Sequence, residues 1–158
     1  MQLRRGCRGW QWMLLAVAAD RITKVLAKRR ALPRTLIPGV VGFRNARNSG
    51  MAFSMLSGHF WLLTVFTALL IAGILFFLLS RPGEPPLLRA GLWLIAGGGL
   101  GNLYDRVTMG SVIDFIELKF VRFAIFNVAD VCICVGAALV LLGAWCNERK
   151  KERTHGEV

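Results

Sequence analysis

Residues 59–80, HFWLLTVFTALLIAGILFFLLS, form 22 consecutive positions without an Asp, Glu, Lys or Arg. A helix of this length covers about 30 Å, the thickness of the hydrocarbon core of a bilayer. The whole chain agrees, because 55% of its 158 residues are hydrophobic and its mean hydropathy is +0.53. This stretch therefore predicts a membrane-spanning helix in an integral membrane protein.

Three weaker apolar stretches accompany this one. The predicted first span is apolar until Asp20. The third span carries Arg89 near its start, and the fourth is uncharged apart from Asp130. We predict one integral membrane domain over residues 1–158 with four crossings, so that both termini lie on the same side. The predicted segments are a first span at 10–27, a polar segment at 28–58, a second span at 59–80, a third at 87–105, a polar loop at 106–122, a fourth span at 123–146 and a charged, frayed tail at 147–158.

The tryptophans support the assigned ends of these spans. Trp10 and Trp12 open the first span, Trp61 opens the second and Trp145 closes the fourth, which is typical of aromatic side chains at membrane interfaces. Trp93 lies deeper in the third span and fits this pattern less well.

The polar segment 28–58 is expected to form strands and turns. Prolines and glycines interrupt the apolar runs LIPGVVGF and RNARNSGMAF, a composition that disfavours a helix. The predicted fold is therefore a mainly α membrane protein, a four-helix bundle with a small β-sheet, or cradle, between its first two helices.

The net charge of +11 does not indicate nucleic acid, because basic residues beside apolar spans usually contact anionic lipid headgroups. The charges also fail to orient the chain, because each predicted side of the membrane holds nine Lys or Arg residues beside the spans. The cysteines lack metal-ligand spacing, and neither His59 nor His155 has a partner at zinc or Ser/His triad spacing. The sequence thus predicts no metal and no cofactor.

The N-terminus allows a competing interpretation. RRGCRGWQWMLLAVAAD has the basic start, short apolar run and Ala-x-Ala-like end of a cleaved signal peptide. Cleavage there would leave an odd number of spans and a mature chain beginning at Asp20. Asp20 and Lys24 are spaced i, i+4 with the acid first, the favourable order for a helical ion pair, which favours a retained span.

Polar residues gather at one end of the predicted bundle. Asn102 and Arg106 share a helix face, and Asp105 beside them is expected to make a packing hydrogen bond or to pair with Arg106. If the fourth span starts near residue 123, Asp130 lies about 10 Å deep, with Asn127 one turn above it. Asp114, in the loop before that span, can then approach Asp130.

Two facing carboxyl groups cannot both ionise readily, so one is expected to keep its proton. Such a pair can deprotonate a water and protonate a leaving amine without a covalent intermediate. A shared proton would also explain why the chain tolerates a carboxylate inside an apolar span, where an unpaired charge is costly.

Five blocks of this sequence resemble the successive motifs of the lipoprotein signal peptidase family, also called signal peptidase II. They occur in that family's order, extend over about residues 10–146, and are far more specific together than any one block. The blocks are DRITK (20–24), NARNSGMAFS (45–54), GNLYDR (101–106), GSVIDFI (110–116) and FNVADVCICVG (126–136).

The resemblance implies an intramembrane aspartic endopeptidase of the bacterial inner membrane that cleaves lipid-modified prolipoproteins before their diacylglyceryl-bearing cysteine. It implies both termini in the cytoplasm, a site toward the periplasm, the 28–58 segment as a periplasmic cradle, contact with membrane lipids, a monomer, and inhibition by globomycin. Asp114 and Asp130 match the family's catalytic pair. The positions that match its supporting residues are Asn48, Gly50, Asn102, Arg106, Asn127, Ala129, Asp20 and Lys24.

Two positions depart from the family pattern, which usually has Gln at Arg21 and Ala at Met51. They put local packing or substrate contacts in doubt rather than the reaction.

The alternatives are a non-enzymatic proton or ion pathway, a presenilin-type protease and an inactive scaffold of the same fold. The first lacks ionisable groups spread across the bilayer, the second lacks a GxGD motif, and the third is disfavoured because both Asp114 and Asp130 are present.

Overall fold

The computed structural model describes residues 9–48 and 60–155. Within these residues the chain forms four helices and a three-stranded antiparallel sheet. The elements in chain order are α1 (Trp10–Lys28), β1 (Thr35–Ile37), β2 (Val41–Asn48), α2 (Phe60–Ser80), α3 (Pro86–Met109), β3 (Val112–Leu118) and α4 (Val128–His155).

Helix α3 lies at the centre of the bundle and packs against each of the other three helices, most extensively against α4. Two glycines allow the α3 and α4 backbones to touch. A Cβ at Gly91 would lie 2.5 Å from the Gly136 carbonyl oxygen, and a Cβ at Gly136 would lie 2.6 Å from that of Gly91. Such close approach over small residues is common between helices in membranes.

The core between α2 and α3 contains Ile74, Leu78, Trp93 and Ala96. Trp93 is therefore a buried packing residue, which explains why it did not fit the interfacial pattern. The outward surface of the bundle is also apolar: Phe76 is 74% exposed and Leu141 71% exposed. A surface of this kind suits lipid, because large apolar patches are rare on proteins surrounded by water.

Two of the described helices are long and apolar enough to cross a membrane by length and composition: Trp61–Ser80, with a mean hydropathy of 2.8, and Val128–Arg149, with 2.2. The other two, α1 and α3, carry buried charged side chains, among them Lys24 and Arg89. The structure thus confirms a mainly helical fold with a small sheet, while the crossing of all four helices stays a prediction.

The sheet has the order β1-β2-β3, and only its first two strands lie in the 28–58 segment. Strands and turns were expected there, and residues 35–48 form them. The third strand comes from residues 112–118, so the prediction of a plain loop at 106–122 was wrong. The β-branched and aromatic residues of VIDFIEL favour a strand. Pairing of β2 with β3 places Asp114 opposite Ala46.

Three predicted helix boundaries also differ from the structure, two of them near the site. Helix α3 continues to Met109, where Gly110, with a φ of 67°, ends it. Helix α4 begins at Val128 rather than near 123, because Phe126 exchanges backbone hydrogen bonds of 2.8 and 3.1 Å with Ile116 of β3. Asp130 therefore lies in the first turn of α4 and not seven residues deep. At its other end α4 continues to His155, where a frayed tail was expected.

Candidate active site

The first turn of α4 is closed by a reciprocal cap. The Oδ1 of Asn127 accepts the backbone N–H of Asp130 at 3.0 Å, and the Oδ2 of Asp130 accepts the backbone N–H of Asn127 at 3.1 Å. This is the capping-box arrangement, with Asn at the N-cap and Asp three residues later. The helix dipole favours a carboxylate at this end. The cap thus holds the Asp130 side chain in place at the start of the helix.

Asp114 lies on β3 and is only 2% exposed. Each of its carboxyl oxygens accepts a hydrogen bond from an asparagine amide. The Nδ2 of Asn48, from β2, donates to Oδ2 at 3.0 Å, and the Nδ2 of Asn127 donates to Oδ1 at 2.7 Å. The sheet and the α4 cap therefore both position this carboxyl group.

Asn102, on α3, connects the two aspartates. Its Nδ2 donates to the Oδ1 of Asp130 at 2.8 Å, and its Oδ1 accepts from the Nδ2 of Asn127 at 3.1 Å. Because Asn127 also donates to Asp114, an unbroken chain of hydrogen bonds runs from one carboxyl group through two amides to the other. The elements β3, α3 and α4 thus meet at one polar cluster.

Both carboxyl groups line a cavity of about 440 Å³. Asn48, Asn102 and Arg106 also line it, and the positive charge of Arg106 attracts Asp130 and, less strongly, Asp114. The rest of the wall is largely apolar. It comprises Val112, Phe123, Ala124, Ile125, Phe126, Val131, Ile133, Cys134 and Val135.

A second charged cluster lies behind this site, between α1 and α3. Arg21 donates to the Oδ2 of Asp20 at 2.6 Å and to the Oδ1 of Asp105 at 2.7 Å. Lys24 pairs with the same two carboxylates, at 3.0 Å to Asp20 and 2.8 Å to Asp105. Two anions and two cations therefore compensate each other, and only Arg21 is substantially exposed, at 27%. We call these four residues the buried ion network.

The buried ion network is bonded directly to the candidate site. The Oδ1 of Asp20 accepts the backbone N–H of Ala129 at 3.2 Å, and the Oδ2 of Asp105 accepts that of Ile113 at 3.3 Å. Ala129 and Ile113 are the residues immediately before Asp130 and Asp114. Each carboxylate of the network thus fixes the backbone beside one aspartate of the site.

Lys24 provides a third connection, because its Nζ donates to the Oδ1 of Asn102 at 3.0 Å. This bond fixes the orientation of the Asn102 amide, whose NH₂ group must point toward Asp130. Gly101 allows the network to lie this close to α3, since a Cβ there would be 2.5 Å from the Oδ2 of Asp20.

Comparison with known proteins matches this arrangement to one family. The family described as "Signal peptidase (SPase) II" matches residues 12–146, which contain every side chain of the site and of the buried ion network. The chain belongs to the signal peptidase II family. A lipoprotein signal peptidase of Symbiobacterium thermophilum is 41% identical over 142 residues, covering 87% of this chain and 93% of that protein. One of Streptococcus pyogenes serotype M1 is 39% identical over 139 residues, covering 86% and 91%.

Solved structures agree with the family assignment. A bacterial membrane enzyme determined by the in meso method at 2.3 Å resolution superposes with a TM-score of 0.80 at 25% identity, covering 89% of each chain. A second bacterial membrane enzyme, determined at 1.9 Å, superposes with a TM-score of 0.74 at 26% identity, covering 85% of this chain and 90% of the other. The bundle and sheet thus have the fold of these bacterial membrane enzymes.

The structure brings together most of the residues that the sequence singled out. Asp114, Asp130, Asn48, Asn102, Asn127 and Arg106 share one cavity or one chain of hydrogen bonds. Ala129 is fully buried and takes part through its backbone N–H. Gly50 and Met51 lie outside the described residues. Their predicted roles stay predictions, as do the catalytic roles of the two aspartates.

Asp105 was expected to make a packing hydrogen bond or to pair with Arg106, and it makes hydrogen bonds with the backbone N–H of Ile113 and with Arg21 of α1. Its ion pairs, among the described residues, are with Arg21 and Lys24 rather than with Arg106. Arg21, whose departure from the usual signal peptidase II pattern put local packing or substrate contacts in doubt, is part of the buried ion network. Sequence reasoning missed this because Arg21 and Asp105 are 84 positions apart, although the Asp20–Lys24 pair itself was predicted and is confirmed.

Burial raises the pKa of Asp114 from 3.8 to about 6, and the charge of Asp130 acts in the same direction, while the hydrogen bonds from Asn48 and Asn127 lower it. The folded protein therefore holds this proton more tightly than the unfolded chain. The free energy of unfolding contributed by this group falls as the pH rises from about 4 to about 6, by up to about 3 kcal/mol. A carboxyl group that loses its proton near neutral pH is well suited to acid–base chemistry.

Proposed function

We propose that the chain is an intramembrane aspartic endopeptidase that removes signal peptides from prolipoproteins, cutting before the diacylglyceryl-modified cysteine, with Asp114 and Asp130 as its catalytic pair. One observation carries the proposal: both carboxyl groups line the same mainly apolar cavity and are joined through the amides of Asn127 and Asn102. Membership of the signal peptidase II family supports the choice of substrate.

The proposed reaction uses the two carboxyl groups and one water. The ionised carboxylate accepts a proton from the water while the water oxygen attacks the scissile carbonyl carbon. The protonated carboxyl group donates its proton to the carbonyl oxygen. The tetrahedral intermediate then collapses: the peptide C–N bond breaks, its nitrogen receives the proton that the water gave up, and a hydroxyl group of the intermediate returns a proton to the carboxyl group that had donated one. Both carboxyl groups return to their starting states after release of the amine. Arg106, which lines the same cavity, offsets negative charge that accumulates around the pair.

The hydrogen bonds of Asn127 indicate how it supports the site. Its amide group donates to Asp114 and Asn102, and its side-chain oxygen accepts from Asp130. All of these groups are already engaged, so Asn127 is better placed to hold the two aspartates than to bind substrate backbone. We propose that the apolar wall of the cavity takes the signal peptide and the lipid.

We further propose that all four helices cross the bacterial inner membrane, with both termini in the cytoplasm, the sheet at the periplasmic face, and the chain acting as a monomer in contact with membrane lipids. The exposed apolar surfaces of α2 and α4 support contact with lipid, and the orientation follows the resemblance to the signal peptidase II family. The buried ion network makes the charges of α1 compatible with a span, because each charge has a partner inside the bundle.

A cleavage assay with purified protein in lipid vesicles tests the proposed function. We expect a precursor carrying the diacylglyceryl group to be cut before its cysteine, as seen by a gel shift and by mass spectrometry of both products, and the same precursor without lipid to be cut much more slowly. Globomycin should inhibit, whereas metal chelators and serine-directed reagents should not. Cleavage elsewhere in the precursor, or loss of activity on chelation, would contradict the proposal.

Replacement of Asn127 by alanine tests how the two aspartates are held. Loss of its hydrogen bond to Asp114 should raise the pKa of that carboxyl group above about 6. We therefore expect cleavage to slow by about tenfold or more, and the limb of the pH–rate profile that Asp114 controls to move to higher pH. The matched control is Asn45→Ala, which removes an amide hydrogen bond to the Ala27 carbonyl instead. An unchanged pH profile in Asn127→Ala would argue against the assigned role.

A further inference from the structure

A second cavity opens on the other side of Asp114. It has a volume of about 800 Å³ and lies between β2, the end of β3 and residues 121–125. Four basic side chains line it, together with two carboxyl groups, those of Asp114 and Glu117. We call this cavity the basic groove, and its cations are Arg44, Arg47, Lys119 and Arg122.

The positive charges of the basic groove are only partly compensated. Arg44 pairs with Glu117 at 3.1 Å, and Lys119 donates to the hydroxyl of Thr35 at 2.8 Å, which leaves its charge unneutralised. Arg47 and Arg122 are exposed, and the described part of the chain provides neither with an ion pair. Like charges held in one concave surface repel each other and attract anions. The groove therefore has the electrostatics of a site for a negatively charged ligand.

The basic groove and the active-site cavity share part of their walls. Asn48, Asp114 and residues 123–125 line both of them. On the α4 side of Asp114 the wall is apolar, whereas on the strand side it is basic and open. An extended peptide with its scissile bond at Asp114 would thus have one flank in apolar surroundings and the other in the basic groove.

We propose that the basic groove binds the polypeptide that follows the scissile bond, and that it favours acidic side chains in the first few residues of that segment. This inference rests on the proposed function and adds a substrate preference to it. In a prolipoprotein the signal peptide is apolar and the segment beyond the cysteine is polar, so the two cavities match the two flanks in chemistry. The wall shared at the reacting carboxyl group favours this peptide segment over a lipid headgroup, which would have no reason to lie beside Asp114.

The test uses three lipid-modified precursors that are identical except for two positions after the cysteine, occupied by acidic, neutral or basic residues. Cleavage is measured in zwitterionic vesicles at low salt. We expect kcat/KM for the acidic precursor to exceed that for the neutral one by about tenfold, mostly through KM, and the basic precursor to be the poorest. The preference should weaken as salt is added, a measurement that needs no variant.

The double variant Arg47→Gln/Arg122→Gln should bring the acidic-to-neutral ratio close to one. Arg34→Gln is the matched control, because it removes an exposed cation at the same end of the molecule but outside the groove, and it should retain the ratio. Equal cleavage of all three precursors by the unaltered protein would overturn the inference while leaving the proposed function intact. So would a preference that survives in the double variant.

A lipid partner gives a different result. If precursor charge has no effect but anionic lipid in the vesicles changes the rate through Arg47 and Arg122, the groove binds headgroups and the inference is wrong. Failure to cleave any precursor, in contrast, would count against the proposed function itself.

Discussion

Asp114→Asn and Asp130→Asn are each expected to reduce cleavage of the lipid-modified precursor by about a thousandfold or more. Each substitution removes one of the two groups that exchange protons with water and the leaving amine. An amide cannot take over either role, since it does not accept or release a proton near neutral pH. The measurement is the single-turnover rate at saturating enzyme in vesicles, which separates chemistry from substrate binding and product release.

A measurement of stability distinguishes a variant that has lost catalysis from one that no longer folds. Asp114→Asn removes a buried charge that is unfavourable above about pH 6, but its NH₂ group faces a donor of Asn48 or Asn127, so at pH 8 we expect its stability to stay within about 2 kcal/mol of the unaltered protein. The matched control is Glu148→Gln, which removes an exposed carboxylate from the same helix as Asp130, and it should retain full activity. Substantial residual cleavage in either aspartate variant would refute the assignment of the catalytic pair.

How much of this fold could be inferred from the sequence differs from element to element. The uncharged run of α2 is long enough to predict a membrane-spanning helix, and the described part of that helix, Phe60–Ser80, ends at the expected residue. The start of α4 was harder to predict, because residues 123–127 are as apolar as the helix that follows. Apolar character alone cannot show where a helix begins.

A local signal for that boundary was nevertheless present. The sequence NVAD has the spacing of a capping box, with an N-cap residue followed three positions later by a carboxylate. It marks Asn127 as the residue before the helix and places Asp130 in its first turn. Recognising it would have corrected the expected depth of Asp130. It would also have explained how the chain tolerates a carboxylate there, through the cap and the helix dipole.

The third strand and the buried ion network could not be derived in this way. Residues 112–118 become a strand because β2, more than 60 positions earlier, provides a partner edge. Arg21 and Asp105 meet only because α1 packs against α3. Pairings between distant segments depend on tertiary contacts, and one sequence without its relatives contains no local sign of them.

Removal of one charge from the buried ion network should destabilise the fold strongly. Lys24→Met removes a cation that is 2% exposed and leaves Asp20 and Asp105 with Arg21 alone. An unpaired buried charge costs about 3–5 kcal/mol, and we expect the free energy of unfolding in mixed micelles to fall by about that amount. Cleavage should fall as well, because the Asn102 amide loses the bond that orients it toward Asp130.

A double-mutant cycle shows whether charge balance is the cause. Asp20→Asn alone leaves an excess positive charge, whereas Asp20→Asn/Lys24→Met leaves Arg21 and Asp105 as a neutral pair. The double variant should therefore be more stable than the sum of the two single effects predicts, by about 1–3 kcal/mol. Arg21→Gln should cost less than Lys24→Met, since Arg21 is partly exposed and water can reach the freed carboxylates from its side. Additive effects of Asp20→Asn and Lys24→Met would show that the two charges do not depend on each other. Full activity in a folded Lys24→Met protein would show that Asn102 is held without the network.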